Sequence, residues 1–256
     1  RRPPRSTRKE SSAASDVYKR QRKGRAIVLL SGGLDSATAA AWAISKGYLL
    51  TAISFDYGQR HRIELCAARD VARSLGIRDH VTLTIDLASF GGSALVDKSI
   101  AVPKNRHEEI RSNEIPATYV PARNTVFLSL ALALAETREA SSLILGVNSV
   151  DYSGYPDCRP EYLEAFRSLA NLATKTGVEG THFEILAPLV SLTKPEIIRL
   201  GISLHVNYGL TTSCYDPTDN GAPCDECDSC LIRAAGFEAV NTPDPRVLAF
   251  MPSGEQ

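Results

Sequence analysis

The sequence lacks any apolar run approaching the ~18 residues that would cross a membrane as a helix, and no charged, apolar and small-residue succession marks a secretory leader. Membrane and secreted classes are therefore set aside, and the expected location is cytoplasmic. Methionine is almost missing, occurring once at Met251, and the first residue is Arg1. Net charge is absent too, with 29 Lys and Arg against 29 Asp and Glu. That zero conceals an asymmetry. Residues 1–25 hold ten Lys and Arg against Glu10 and Asp16, a charge of +8, so residues 26–256 hold 19 basic and 27 acidic residues, a charge of −8. A body this acidic is not expected to bind nucleic acid. The basic segment carries too little apolar surface to fold on its own. Its stretch SSAASDVYKRQ resembles translated adapter sequence, so residues 1–24 are expected to be a disordered, non-native tail and are excluded from the fold.

What is present is 256 residues with 43% hydrophobic content, enough for one large domain with a full core. Strand-like runs at 26–30, 49–55, 81–85, 143–147 and 182–186 are mostly separated by helix-like segments. Such alternation predicts an α/β fold: a parallel sheet with helices on both faces. A helix over 35–46 carries Ala39, Ala40, Trp42, Ala43 and Ile44 and stops at Gly47. Another, over 61–75, is apolar at Ile63, Leu65, Ala67, Ala68, Val71, Ala72 and Leu75, stops at Gly76, and is expected to bury Cys66. Residues 124–137 leave almost no polar face and predict a fully buried central helix. Thr193 and Glu196 fit a capping box with Pro195 in the first turn, and Gly201 is the expected stop. Residues 88–122, rich in Gly, Pro and charge, are too long for an inert connector and are expected to form a lid.

The first chemical motif is Ser31-Gly32-Gly33-Leu34-Asp35-Ser36, placed between the first strand and the first helix. Two glycines permit a sharp turn and close ligand approach, and the helix start offers unpaired N–H groups and a positive dipole end. Together these make an anion site. The alternative is a plain βα turn capped by Ser and Asp. No Gly-Lys-Ser/Thr follows, and the Gly-x-Gly-x-x-Gly pattern is absent, so neither a Walker A loop nor a dinucleotide fingerprint is present.

The second motif is Cys214, Cys224, Cys227 and Cys230, four thiolates at a spacing that can close a tetrahedral zinc site. An iron–sulfur cluster is the alternative, since the same spacing can hold one. The third lies after the fourth strand, where Asp151, Tyr155, Asp157, Cys158 and Arg159 crowd one loop. Loops at the carboxyl ends of parallel strands are where such sheets bind ligands. Asp151 and Asp157 are expected to accept N–H groups of a base-like substrate.

SGGLDS resembles the pyrophosphate loop of the PP-loop ATP pyrophosphatases. With FDYGQRH (55–61), YVPARNTVFLSLA (119–131), GVNSVDYSGYPDCRPEY (146–162), APLVSLTKPEIIRLG and the four cysteines, in that order, the chain resembles the QueC family of 7-cyano-7-deazaguanine synthases over residues 25–240. The resemblance implies a PP-loop ATP-binding α/β domain over 25–205, a zinc-binding segment packed on it over 206–240, and a tail over 241–256. It implies that 7-carboxy-7-deazaguanine and ammonia become the nitrile through two adenylations by ATP with Mg²⁺, with free ammonia as donor because no glutaminase is attached. It also implies a homodimer and one structural Zn²⁺ per chain.

By the same resemblance, ATP contacts run from Leu30 through Ser31, Gly32, Gly33, Leu34, Asp35, Ser36, Ala37, Thr38 and Ala39 to Ala40, with Asp56. Asp35 would support Mg²⁺, and Asp35, Ser36 and Arg123 would be catalytic. Tyr57, Gln59, Arg60 and His61 would join Asp151, Tyr155, Asp157, Cys158 and Arg159 around the substrate. The alternative within the superfamily is a tRNA-thiolating enzyme, which the acidic body disfavours.

Overall fold

Residues 26–29 are apolar without interruption because β1 (Gly24–Leu29) lies at the centre of a sheet and buries side chains on both faces. The computed structural model describes residues 23–106, 114–150 and 154–251. β1 pairs in parallel with β2 (Tyr48–Asp56) and β4 (Ser142–Ile144). β2 pairs with β3 (Asp79–Thr84) and β4 with β5 (Glu184–Leu186), giving the order β3-β2-β1-β4-β5. Alternation along β1 then splits the core: Ala26 and Val28, followed by Leu30, face one cluster, and Ile27 faces the other.

The first face is covered by α1 (Leu34–Ser45), α2 (Ile63–Ser74), α5 (Lys194–Ser203) and α6 (Asp228–Ala239). Alanines make α1 thin: Ala37, Ala39, Ala40 and Ala43 have no exposed surface, and α1 lies between the sheet and α5. The second face is covered by α3 (Arg123–Thr137) and α4 (Pro160–Ala173), whose Leu128, Leu132, Leu163 and Phe166 meet Ile27, Ile53 and Leu143. The chain steps outward from β1 to β3, then returns to the other side of β1 for β4. Neighbouring loops therefore diverge between β1 and β4, and a cleft opens at their carboxyl ends.

Three expectations are corrected. α3 buries only Leu128, Ala131, Leu132 and Ala135, while Thr125, Ser129 and Ala133 line an exposed side, because the helix lies on the sheet instead of between layers. Cys66 is exposed, since α2 turns Ala67, Ala68, Val71 and Ala72 inward and residue 66 falls on the opposite side of a 3.6-residue helix. Gly201 does not end α5 but sits inside it, where Tyr208 packs.

The 88–122 segment is anchored through most of its described length, with Ser93, Ala94, Val102, Thr118 and Val120 buried. Residues 107–113 lie outside the described residues. The capping box at Thr193 and Glu196 is present.

Gly201 yields a stability prediction. Helix propensity alone would make Gly201→Ala stabilising by about 1 kcal/mol. The added Cβ would lie 1.8 Å from the Tyr208 hydroxyl, which bonds Thr38 Oγ1 at 2.8 Å. Overpacking should win, lowering stability by about 1–3 kcal/mol in urea unfolding. A variant as stable as the parent would mean that the Tyr208 ring shifts freely.

Candidate active site and metal centre

The cleft at the β1/β4 divergence begins with residues 31–36. Ser36 Oγ accepts the Ser31 N–H (3.2 Å) and the Ser31 hydroxyl (3.1 Å), and donates to the Gly33 carbonyl (3.1 Å). Ser31 Oγ in turn accepts the Gly33 N–H at 3.3 Å. The loop is thus organised by its own hydroxyls. Gly33 caps α1 without a side chain, so no cap oxygen covers the first-turn N–H groups. Gly32 has φ +86°, and a Cβ there would meet the Glu64 carbonyl oxygen at 2.4 Å. Gly146, just past β4, presses on the other side, where a Cβ would meet the Ser36 nitrogen at 2.6 Å.

The Asp35 carboxylate is held by Lys194 Nζ at 2.6 and 2.8 Å, and Lys194 is buried. Lys194 went unnoticed in the sequence because it stands beside a capping box and 159 residues from its partner. Glu64 was also missed, although it sits in the first turn of α2 and lines the cleft. Its carboxyl accepts Gln59 Nε2 at 2.9 Å, and burial pushes its pKa up to about 7. Thr212 and Ser213 also line the cleft, and the Thr212 N–H donates to the Gly32 carbonyl at 2.9 Å.

Of the residues assigned from the resemblance, Leu30, Ser31, Gly33, Leu34, Asp35 and Ser36 line the cleft. Tyr57, Gln59, Arg60, His61, Arg123, Tyr155 and Cys158 line it as well. Arg123 lies 5.8 Å over the Tyr57 ring, and Tyr155 bonds Thr118 Oγ1 at 2.7 Å. His61 Nε2 faces Asp216 at 3.5 Å. Burial pushes the Cys158 thiol up to about 12, so it stays protonated near neutrality and is a poor nucleophile.

Other assigned residues fall elsewhere. Ala37, Thr38, Ala39 and Ala40 are sealed in the core of α1, and Thr38 is bound to Leu34 and Tyr208. Asp56 pairs with Arg62 instead of lining the cleft. Asp157 is buried and its Oδ2 accepts the Asn124 N–H at 3.1 Å. It serves as a cap for α3 because Ala122, at the N-cap with φ +53°, has no oxygen to offer. Arg159 donates to the Pro156 carbonyl at 3.2 Å and lies outside the cleft lining. Asp151 lies outside the described residues.

The four cysteines gather beside the cleft, which Cys214 also lines. Their sulfurs lie within 4.8 Å of one another, close to what one tetrahedral ion with ~2.3 Å bonds to sulfur spans. Cys227 caps α6 and Cys230 lies in its first turn. The N–H groups of Asp216 and Cys224 point at Cys214 Sγ (3.4 and 3.2 Å), that of Tyr215 at Cys227 Sγ (3.4 Å), and that of Cys227 at Cys224 Sγ (3.4 Å). Such donors favour thiolates, and the quartet can hold a metal ion. Neighbouring acidic residues are partly neutralised, Glu226 by Lys104 at 3.2 Å and Asp228 by Arg106.

A model of the family described as queuosine biosynthesis protein QueC matches residues 25–241. The chain belongs to the QueC family. Among its relatives, a 7-cyano-7-deazaguanine synthase of Desulfatibacillum aliphaticivorans is 59% identical over 224 residues, 87% of this chain and 96% of that protein. One of Frankia casuarinae is 59% identical over 221 residues, 86% of this chain and 92% of that protein. Within the QueC family segment, residues 25–241, lie both the cleft and all four clustered cysteines. No helix among the described residues is long and apolar enough to cross a membrane.

Two outcomes follow from this geometry. Cys227→Ser should lose the bound metal and destabilise the region between Thr211 and Leu231, as metal analysis and local hydrogen exchange would reveal. A variant retaining full metal content would exclude the quartet as its site. For Glu64, burial raises the folded pKa to about 7, above the ordinary value of 4.5 for a glutamate side chain. The folded state therefore binds more protons at Glu64 between those values, so this group's contribution to stability is greatest below pH 4.5 and is lost as pH rises through 7. The contribution is at most about 3 kcal/mol. Glu64→Gln should flatten that part of the stability profile, and an unchanged profile would contradict the shift.

Proposed function

We propose that this chain is an ATP-dependent C–N ligase that converts 7-carboxy-7-deazaguanine and ammonia into 7-cyano-7-deazaguanine, a step in making a queuosine precursor. The observation that carries this reading is one cleft lined both by a serine–glycine phosphate loop and by Arg123, Tyr155 and Cys158. Relatives named for this synthase, about as long as the family segment, support the substrate assignment.

The chemistry needs activation twice. A carboxylate oxygen is adenylated and pyrophosphate leaves; nitrogen then displaces AMP to give the amide. Adenylation of the amide oxygen and loss of a second AMP give the nitrile. In this reading the free N–H groups at the start of α1, with Ser31 and Ser36, hold the departing pyrophosphate. Lys194 keeps the Asp35 carboxylate beside those phosphates and adds positive charge there. Arg123 offsets negative charge on the acid side, and Tyr57 and Tyr155 wall the flat base. Catalysis is then largely positioning and charge stabilisation in a closed cleft.

The finer points belong to the same proposal: Zn²⁺ in the four-cysteine site, Mg²⁺ on the ATP phosphates near Asp35, free ammonia as donor, and a homodimer. Zinc with four sulfur ligands would have no open position, so its role is to order the loop that ends in α6. Mg²⁺, when bound, would neutralise phosphate charge.

The test is direct. The protein incubated with ATP, Mg²⁺, ammonium and 7-carboxy-7-deazaguanine should yield nitrile, AMP and pyrophosphate by mass spectrometry. ADP in place of AMP, or no nitrile, would refute the reading. Ser36→Ala removes the hydroxyl that ties the loop and should lower AMP formation by roughly 100-fold or more. Asp35→Asn is a less clean probe, because it leaves the Lys194 ammonium buried without its counter-charge.

A further inference from the structure

The cleft contains a carboxylate that the roles above leave unused. Glu64 projects from the first turn of α2, which is fixed against the phosphate loop by the close approach of its carbonyl to Gly32. The Gln59 side chain orients it. Gln59 Oε1 is occupied by the Tyr57 N–H at 2.7 Å, so its Nε2 faces the Phe55 carbonyl (3.2 Å) and Glu64 Oε1 (2.9 Å). That leaves Glu64 Oε2 without a hydrogen-bond partner among the described residues.

The cleft lining contains two carboxylates among the described residues, Asp35 and Glu64. Asp35 has both oxygens on Lys194. The other proton-bearing groups suit the task less. Burial pushes the Tyr57 hydroxyl and the Cys158 thiol up to about 12, and His61 Nε2 is turned to Asp216.

The reaction has protons to dispose of. Forming the acyl adenylate from the carboxylate releases none at carbon. When nitrogen attacks, the new C–N bond replaces the C–O bond to AMP, and nitrogen sheds a proton. A donor that enters as ammonium has to shed one more beforehand, since ammonium has no lone pair. Loss of the amide oxygen as the second AMP then frees both amide protons.

We propose that Glu64 is the proton acceptor for the nitrogen donor, taking on Oε2 the proton that ammonium sheds to free its lone pair before it attacks the acyl adenylate, and passing it to water in the cleft. This rests on the synthase reading above. A carboxyl titrating at about 7 under the influence of burial is suited to accept and release a proton at neutral pH. The charged and titratable groups that face it are Arg123 of α3, which together with the hydrogen bond from the Gln59 amide favours its anion, and Asp56 at the end of β2, which opposes it; Tyr57 lies in the same field.

Three readouts on Glu64→Gln test the assignment: acid-dependent ATP–pyrophosphate exchange, amide and nitrile formation from ammonium, and hydroxamate formation from hydroxylamine, which is unprotonated at neutral pH. Exchange should stay within about two-fold of the parent. Product from ammonium should fall by roughly 100-fold, and hydroxamate should be retained. In the parent, the rate with ammonium should steepen its fall below pH about 7, and the hydroxylamine rate should lack that limb. The parent's profiles need no variant, so they decide the matter even if Glu64→Gln folds poorly. Undiminished product from ammonium, or loss of exchange together with product, overturns the proposal. A parent with no acid-dependent exchange at all removes the synthase reading itself, and this inference with it.

Discussion

Everything in the cleft depends on how little room surrounds residues 31–36. α2 approaches Gly32 so closely that a methyl group would collide with the Glu64 carbonyl and the Ala68 nitrogen. β4 approaches through Gly146, where a side chain would strike Ser36 and Asp35. The loop leading to Cys214 arrives on a third side and bonds Gly32 through Thr212. Three distant parts of the chain thus meet on bare backbone. Glycine at 32 and 146 is required by contact, and at 32 also by a positive φ that other residues adopt with strain.

Charge placement reinforces that convergence. Lys194 on α5 reaches across to Asp35, and its stem passes so near Gly236 of α6 that a Cβ there would lie 2.6 Å from Lys194 Cγ. α6 begins in the cysteine quartet and is clamped by Arg233, which bonds Asp244 at 2.6 and 2.9 Å and Thr211 Oγ1 at 2.8 Å. Buried pairs such as these give little net stability, because desolvation offsets much of the attraction, but breaking one leaves a charge without solvent or partner. Their effect is to define a single arrangement. A continuous set of contacts therefore runs from the sulfur cluster through α6 and Lys194 to the phosphate loop.

The segment before α3 completes this wall. Ala94 and Val102 pack on Cys227 and Cys230, and Lys104 and Arg106 answer the acidic residues between the cysteines. The negative charge beside the cluster, which would repel phosphate if free, is balanced locally. Asp216 draws together Lys104, Arg60 and His61 on the cleft side.

Local chemistry made part of this legible in the sequence. Strand, glycine turn and alanine helix follow one another within residues 27–46, the four cysteines lie within 17 residues, and the capping box spans four, so each pattern is complete in a short window. Such signals reflect backbone sterics and periodicity, which act over neighbouring residues. The remainder depended on packing. Whether Cys66 faces in or out is set by the rotation of α2 on the sheet, and whether Asp157 meets a ligand or caps α3 is set by the absence of an oxygen at Ala122. The Lys194–Asp35 pair joins residues 159 apart. The sequence by itself determined the α/β order, the phosphate loop and the sulfur quartet; only the tertiary structure decided which carboxylates are paired, capped or left open in the cleft, because burial and distance between remote side chains have no trace in local spacing.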